Sequence, residues 1–390
     1  MKTYLLISPQ PWGKMYLSKH NYAMELAENG NQVYFLNPPS YKKFSASPEL
    51  EVNEERQNLF LINYTLPSTV YTLRFKARPV HDLYLRRTLV KQLNRLAQFD
   101  ELWCFEPNIF SDLKTFNATK KLLFIVDYHD NSALKKVVTD VDGIASISKH
   151  ILDYFEFTDK PKILLHHGLN KNFSAIAMKK IAEGLAYAAP LSIQVAYVGN
   201  LLQGDRVDMN TLRLIVEQNR GVTFHFYGPY EEKANSLGAT INDKLRNFVE
   251  FLKAAKNVRL HGVKDQLALA KEIQQMDVLL TCYNYLTDYN KSSNCHKVIE
   301  YLSTGRAVVA NRLFAYDGLR ELVEMPNELT NENLPMLFKK VIGNLTFYNS
   351  PARQKARIAF ALENTYKEHI NTLQDFLSSA DAFTNVYKTS

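Results

Sequence analysis

Tyr4-Leu5-Leu6-Ile7, then Tyr22-Ala23-Met24-Glu25-Leu26-Ala27-Glu28-Asn29-Gly30, then Val33-Tyr34-Phe35-Leu36, decide the fold class of this chain. The first and last are short apolar runs of strand composition. Between them, over 18–29, Tyr22, Ala23, Leu26 and Ala27 recur at helical spacing and Gly30 is a natural stop. Strand, helix and strand in so short a span form a βαβ unit, whose tight links imply parallel pairing and a right-handed crossover. The pattern continues, with strands expected at 59–62, 102–104, 122–126, 143–146 and 163–165 and a helix over 81–98.

The strand signal lapses across Ala/Lys-rich sequence near 172–190, and a second series opens at Ile193-Gln194-Val195-Ala196-Tyr197-Val198-Gly199. Further strands are expected at 222–227, 258–260, 278–281 and 307–310, with helices near 208–219, 241–254, 265–275 and 294–304. This reads as an α/β chain of two doubly wound parallel-sheet domains, 1–172 and 191–345, joined by a linker over 173–190. Helices over 346–390 follow, free to pack back on the first domain. Such a pair is expected to face a central cleft at the carboxyl ends of its sheets, where these folds bind ligands.

At 390 residues the chain is long enough for two hydrophobic cores, and 46% hydrophobic with 22% charged residues excludes disordered and fibrous classes. Its 47 basic against 40 acidic side chains leave +7, an excess that favours anionic partners. The stretch 71–95 holds Arg74, Lys76, Arg78, Arg86, Arg87, Lys91 and Arg95 against Asp82 alone, with Tyr71, Phe75, Leu83, Tyr84 and Leu85 interleaved. An anionic membrane surface and a solvated helix face both fit that composition. The three cysteines, Cys104, Cys282 and Cys295, form no CxxC pair, which argues for a reducing compartment and against zinc. No apolar run is long enough to span a bilayer and the opening segment is too short for a signal sequence. The expected location is cytoplasmic, with membrane material reached peripherally on the cytoplasmic face.

The chemistry is concentrated in Ser292-Ser293-Asn294-Cys295-His296-Lys297-Val298-Ile299-Glu300-Tyr301-Leu302-Ser303-Thr304-Gly305-Arg306-Ala307-Val308-Val309. Ser293 or Asn294 can cap a helix of about ten residues that Gly305 ends, with Val298, Ile299 and Leu302 on its buried side. Lys297 and Glu300, three apart, share another face near the helix start. A cation for a diphosphate and a carboxylate for a ribose diol fit that arrangement. So does an ordinary surface ion pair, worth a few tenths of a kcal/mol.

This stretch resembles the donor-site helix of GT-B glycosyltransferases, Lys-x-x-Glu-Tyr-Leu-Ala-x-Gly-Lys-Pro-Val-Val. Lys19-His20-Asn21-Tyr22-Ala23, Val141-Asp142-Gly143-Ile144-Ala145-Ser146-Ile147-Ser148, His166-His167-Gly168-Leu169-Asn170 with Phe173, Ala196-Tyr197-Val198-Gly199-Asn200, Phe226-Tyr227-Gly228-Pro229 and His261-Gly262-Val263 resemble that family's other landmarks in order. The resemblance implies a GT-B fold of two Rossmann-like domains, the first for acceptor and the second for donor. It implies a nucleotide-sugar donor, a carbohydrate or lipid-linked acceptor, a role in surface polysaccharide assembly, and no cofactor or metal. Glu300 is then assigned to the donor ribose, Lys297 to the diphosphate and Val263 to the base. Retaining members carry a second Glu upstream of the one matching Glu300; here the serines Ser292-Ser293 stand in that region, Ser293 being taken as the counterpart. The family's basic pair after the first donor strand is represented only by Arg206.

An inverting enzyme needs a base for the acceptor hydroxyl. Asp127 and Asp130, just past the strand at 122–126, are the candidates, with helix capping as their other reading, and His20 is a third. No His/Cys metal-ligand spacing is present. A sugar-nucleotide epimerase and a non-catalytic sugar-nucleotide binding protein remain the competing functions. A dehydrogenase is disfavoured because no Gly-x-Gly-x-x-Gly follows either opening strand, and no nucleic-acid partner is expected.

Overall fold

A computed structural model describes residues 1–386 apart from 14–15, 44–47, 127–131, 204–205, 232–241 and 285–293, with the side chains of 132–133 and 380–386 also left aside. The chain divides into two compact units, Met1–Leu165 with Tyr366–Ser390, and His166–Thr365.

Among the described residues the first unit carries nine strands: β1 (Thr3–Ile7), β2 (Gln32–Leu36), β3 (Ser40–Lys42), β4 (Glu49–Arg56), β5 (Leu59–Pro67), β6 (Phe99–Cys104), β7 (Ala118–Ile125), β8 (Gly143–Ser146) and β9 (Lys162–Leu164). Their order is β3-β5-β2-β1-β6-β7-β8-β9. Strand β1 is central and covered on both faces, which is why its sequence is apolar without alternation. Leu5 and Ile7 face one core and Tyr4 and Leu6 the other. The second core is closed by the helix Ser18–Glu28, through Tyr22, Ala23, Leu26 and Ala27, and by the C-terminal helix Tyr366–Val386, through Tyr366, Ile370 and Leu373. Tyr22 hydrogen-bonds His369 at 2.9 Å, joining the two helices by a polar contact as well as apolar ones, and the Gln374 amide donates to the Tyr4 hydroxyl at 2.8 Å, tying the C-terminal helix to β1.

The second unit carries β10 (Gln194–Val198), β11 (Thr223–Tyr227), β12 (Val258–Gly262), β13 (Val278–Leu280) and β14 (Ala307–Val309), all parallel, in the order β12-β11-β10-β13-β14. One face is packed by the helices Met209–Gln218, Asp243–Ala254 and Leu334–Ile342, through Leu212, Phe248 and Phe338. The other is packed by Lys171–Glu183, Gln266–Glu272, His296–Leu302 and Pro351–Glu363, through Phe173, Ala270, Tyr301 and Ala361. Two Rossmann-like sheets covered on both faces match the fold class expected from the βαβ rhythm.

Three features depart from the sequence reading. The first sheet is mixed: β4 pairs antiparallel with β5 through a hairpin whose turn residue Asn58 has φ 65°. Its side chains are mostly exposed, so the charged stretch Glu49–Arg56 carries no apolar run. The expected linker 173–190 begins within the helix Lys171–Glu183, whose Phe173 and Ala177 are fully buried in the second unit and whose first turn is capped by Asn170 Oδ1 accepting from the Asn172 and Phe173 amides. The span 346–390 is shared: Pro351–Glu363 belongs to the second unit and Tyr366 onward to the first.

Candidate functional site

At the carboxyl edge of the second sheet, the turns after β10 and β11 approach closely. The Gly199 amide bonds the Tyr227 carbonyl at 2.8 Å, and the Gly228 amide bonds the Gly262 carbonyl at 2.8 Å. Gly228 has φ 130°, and a Cβ there would collide with the Gly199 carbonyl, so this backbone requires glycine. The edge is formed here by closely packed main chain.

The helix His296–Leu302 starts at this edge. Its N-cap is Cys295, with no side-chain cap bond, and it is seven residues long. Asn294 is therefore not the cap: it is buried, and its carbonyl accepts from His167 Nε2 at 3.2 Å. The cap expected of Ser293, and any donor contact by that residue, lie outside the described residues. The helix stops where Gly305, at φ 72°, turns its amide back to Leu302.

Tyr301 fixes the helix to the sheet. Strand β13 ends at Leu280, one position short of covering Val198, and the Tyr301 hydroxyl fills that gap. It accepts from the Val198 amide at 2.8 Å and donates to the Leu280 carbonyl at 3.4 Å. The residue beside it, Glu300, is partly buried, and burial raises its carboxyl to about 7 against the opposing pull of Lys297. Lys297 Nζ donates to His296 Nε2 at 3.3 Å. The His167 ring lies 5.9 Å from the His296 ring. His296 is held well below its ordinary pKa, first by Lys297, then by burial, His167 and Arg206.

Arg206 stacks its guanidinium 4.8 Å over the Tyr283 ring, and its loop is held by the Val207–Tyr283 bridge and by the Asn284 amide donating to the Arg206 carbonyl. Lys297, Arg206, His296 and His167 thus gather around one end of a helix that carries Glu300 one turn further on. Two cations beside the His296 ring favour an anion, and a carboxyl one turn further on suits hydroxyls. Val263, 70% exposed, directly follows β12, where Gly262 has φ 69°. His261 stacks on Tyr227 at 4.5 Å and its Nε2 bonds His225 Nδ1 at 2.9 Å, which makes that turn stiff.

Sequence reasoning missed His167, His296 and Tyr301. Tyr301 and His296 stood in the quoted stretch, but only the fold reveals that a hydroxyl replaces a strand partner. His20, a candidate base, is corrected: it is fully buried, Nδ1 accepts from the Leu17 amide at 3.0 Å, Nε2 faces the Pro11 carbonyl at 3.2 Å, and burial, then Lys19, lower it to about 4. Both nitrogens are engaged and the ring stacks on Phe35, so His20 is a packing residue. Asp127 and Asp130 lie outside the described residues. Among the described residues no cluster of three His, Cys, Asp or Glu is placed to hold a metal, and no helix is long and apolar enough to cross a membrane.

The arrangement can be set beside solved structures. One, "Trehalose-6-phosphate from E. coli bound with UDP-2-fluoro glucose", superposes with a TM-score of 0.67 at 12% identity, covering 96% of this chain and 99% of the other. An α,α-trehalose-phosphate synthase (UDP-forming) from Burkholderia xenovorans, in complex with glucose-6-phosphate, gives 0.67 at 11% identity, with 96% and 100% covered. This chain has the GT-B fold. Sucrose-phosphate synthase from Thermosynechococcus elongatus agrees, with a TM-score of 0.64 at 12% identity over 100% of both chains. Identities this low speak for the GT-B fold and not for a shared substrate. No protein-family model matches the sequence and no curated protein matches it significantly.

Proposed function

We propose that this protein is a glycosyltransferase, transferring a sugar from a nucleotide-sugar donor held in the second unit to a carbohydrate acceptor. The observation that carries the reading is the gathering of Lys297 and Arg206 around His296, with Glu300 one turn on, at the carboxyl edge of a parallel sheet. The two cations would neutralise the leaving diphosphate, Glu300 would accept from the ribose hydroxyls, and main-chain groups at Val263 would receive the base. In the reaction the bond from C1 to the diphosphate oxygen breaks with its electron pair on phosphate, and an acceptor hydroxyl oxygen bonds C1. That hydroxyl's proton passes to a base, for which Asp127 and Asp130 remain the candidates.

The donor to try first is UDP-linked, since solved structures of this fold hold UDP-2-fluoro glucose or are UDP-forming. A sugar phosphate is the first acceptor to try, glucose-6-phosphate being bound in one of them. A lipid-linked saccharide at an anionic membrane is the second, and it rests on the first unit's own surface. Tyr71 and Phe75 are 49% and 66% exposed, and Val80 stands out with them. Lys76, Arg86, Arg87, Lys91 and Arg95 are exposed along the same stretch of chain, and among the described residues none of the five has a carboxylate within salt-bridge distance. Arg78, by contrast, is committed to Asp82 at 2.8 Å. A role in surface polysaccharide assembly follows only if the lipid-linked acceptor is used.

The test is thermal stabilisation by UDP-, GDP-, CMP- and ADP-linked sugars, followed by product analysis with each acceptor class. A ligand at 100 times its dissociation constant adds about 2.7 kcal/mol. Stabilisation by no nucleotide sugar would remove the reading. Conversion of donor without acceptor would replace it with epimerase, and binding without turnover with a sugar-nucleotide binding protein.

A further inference from the structure

The loop that leaves β1 at the carboxyl edge of the first sheet runs Ser8-Pro9-Gln10-Pro11-Trp12 and is tied down along its length. The Ser8 amide donates to the Leu36 carbonyl at 3.1 Å, and the Ser8 hydroxyl donates to the Gln10 carbonyl at 2.6 Å. The peptide between Pro11 and Trp12 is held through both of its polar groups. Its amide donates to Asn37 Oδ1 at 2.7 Å, and Asn37, buried just past the end of β2, is fixed in turn by its side-chain amide donating to Asn63 Oδ1 at 2.8 Å. Its carbonyl faces His20 Nε2 at 3.2 Å. His20 Nδ1 accepts from the Leu17 amide, so the ring proton lies on Nε2 and is donated to that carbonyl.

The indole oriented in this way meets two fully buried rings edge to face, Phe35 at 5.0 Å and His20 at 5.3 Å between centroids, with Tyr16 beside it at 5.5 Å. Trp12, Tyr16 and Gln10 are half-buried, so each also reaches the surface. Trp12 Nε1 and Gln10 Oε1, a donor and an acceptor on one loop, are shielded in the empty protein and have no hydrogen-bond partner among the described residues. Native proteins rarely leave such groups unmet without a functional reason, and aromatic walls with a few polar groups are what small-molecule sites are made of.

We propose that Trp12 is the stacking platform for a pyranose ring of the acceptor. The inference rests on the glycosyltransferase reading and names the residue of the first unit on which the acceptor sits. One face of a pyranose is built of C–H bonds, whose partial positive charge suits the negative face of an indole, and its rim is hydroxyls, which both donate and accept. One hydroxyl accepts from Trp12 Nε1 and another donates to Gln10 Oε1, giving each group the partner the protein withholds. Because Asn37 and His20 fix the loop beforehand, binding has little main chain left to order. No charged side chain takes part, so the platform recognises the sugar ring and not a phosphate carried on it.

Trp12 reports its own occupancy. The chain has two tryptophans, and the other, Trp103 in β6, is fully buried, so acrylamide quenching of wild-type fluorescence reads Trp12. The probe is glucose-6-phosphate, or the saccharide that supports turnover where that is another. It should protect Trp12 from acrylamide saturably, whereas inorganic phosphate should not. In turnover, Trp12→Ala should raise the acceptor KM about tenfold, more than it lowers kcat, and Trp12→Phe, which keeps a ring without the N–H, should fall between. Thermal stabilisation by the nucleotide sugar should be the same in all three proteins. Equal quenching with and without saturating acceptor, protection by inorganic phosphate alone, or an unchanged acceptor KM in Trp12→Ala overturns the proposal. If Trp12→Ala does not fold, the wild-type quenching decides by itself. Stabilisation of the wild type by a nucleotide sugar keeps the glycosyltransferase reading intact whatever Trp12 shows, while failure of every nucleotide sugar to stabilise it overturns that reading and this inference with it.

Discussion

Removing the Tyr301 hydroxyl isolates the link between sheet and site. In Tyr301→Phe the ring still fills its fully buried position, so neither a cavity nor a new group is introduced. What is lost is the acceptor for the Val198 amide at 2.8 Å and the donor to the Leu280 carbonyl at 3.4 Å. The second contact is long and should matter less. The first leaves a buried amide unpaired at the end of β10, where β13 is too short to replace it, at a cost of about 1–3 kcal/mol. Because the chain has two units, a single global midpoint would blur the effect. Hydrogen exchange of peptides covering 194–199 is the suitable assay, and in the regime where exchange reports opening free energy the Val198 amide should exchange roughly 5- to 150-fold faster. Amides of β1 in the other unit should be unchanged. An unaltered rate at Val198 would refute the assignment of Tyr301 as its partner, and with it the account of how Glu300 is positioned.

Glu300→Gln and Lys297→Ala should each weaken donor binding or turnover at least tenfold with the fold intact, each removing a charge-assisted contact of about 1.5–3 kcal/mol; unchanged kinetics in both would dismiss the site. Asp127→Asn or Asp130→Asn should cut turnover about 10²-fold with donor affinity little altered and the product anomer inverted, whereas full activity in both or a retained anomer returns these residues to capping. Reversing Arg86, Arg87 and Lys91 to Glu should lower binding to phosphatidylserine vesicles more than about 100-fold, at about 1 kcal/mol per lost cation, and equal sedimentation before and after would count against a membrane face. His20, lowered to about 4 when folded, stabilises the first unit fully above its unfolded value of 6.5, and that stability is lost as pH falls towards 4; about 3 kcal/mol should disappear over this window and His20→Gln should flatten it, as urea titrations at several pH values would record.

What the sequence disclosed follows from which forces leave a pattern in it. Strand β1 and the helix Ser18–Glu28 bury whole faces, so their apolar residues recur with the period of the element. Strand β4 buries little and pairs through main chain, so Glu49–Arg56 leaves no apolar period in the sequence. The helix Lys171–Glu183 was hidden by its composition, since two fully buried residues, Phe173 and Ala177, are a thin stripe among lysines. Glu300 and Lys297 were found from their spacing and from a resemblance, because residues three apart on a helix must share a face. His167 is more than a hundred positions away from His296, and no local pattern announces that their rings meet. His20 failed for the opposite reason: its position at a helix start is legible, but its burial beneath Trp12 and against Phe35 is tertiary.

The location of the site follows from the sheet itself. In a parallel sheet every strand ends at the same edge, so Val198, Tyr227, Gly262, Leu280 and Val309 present their chain ends together. Strands of unequal length leave some of those main-chain groups unpaired, and buried amides must find partners. Val198 finds the Tyr301 hydroxyl, and that bond obliges the helix carrying Tyr301 to begin at this edge. Once the helix is anchored there, His296, Lys297 and Glu300 cannot lie elsewhere. A longer β13 would satisfy Val198 by itself and free the helix to slide. The shortness of β13, three residues, is therefore part of what fixes the charged cluster.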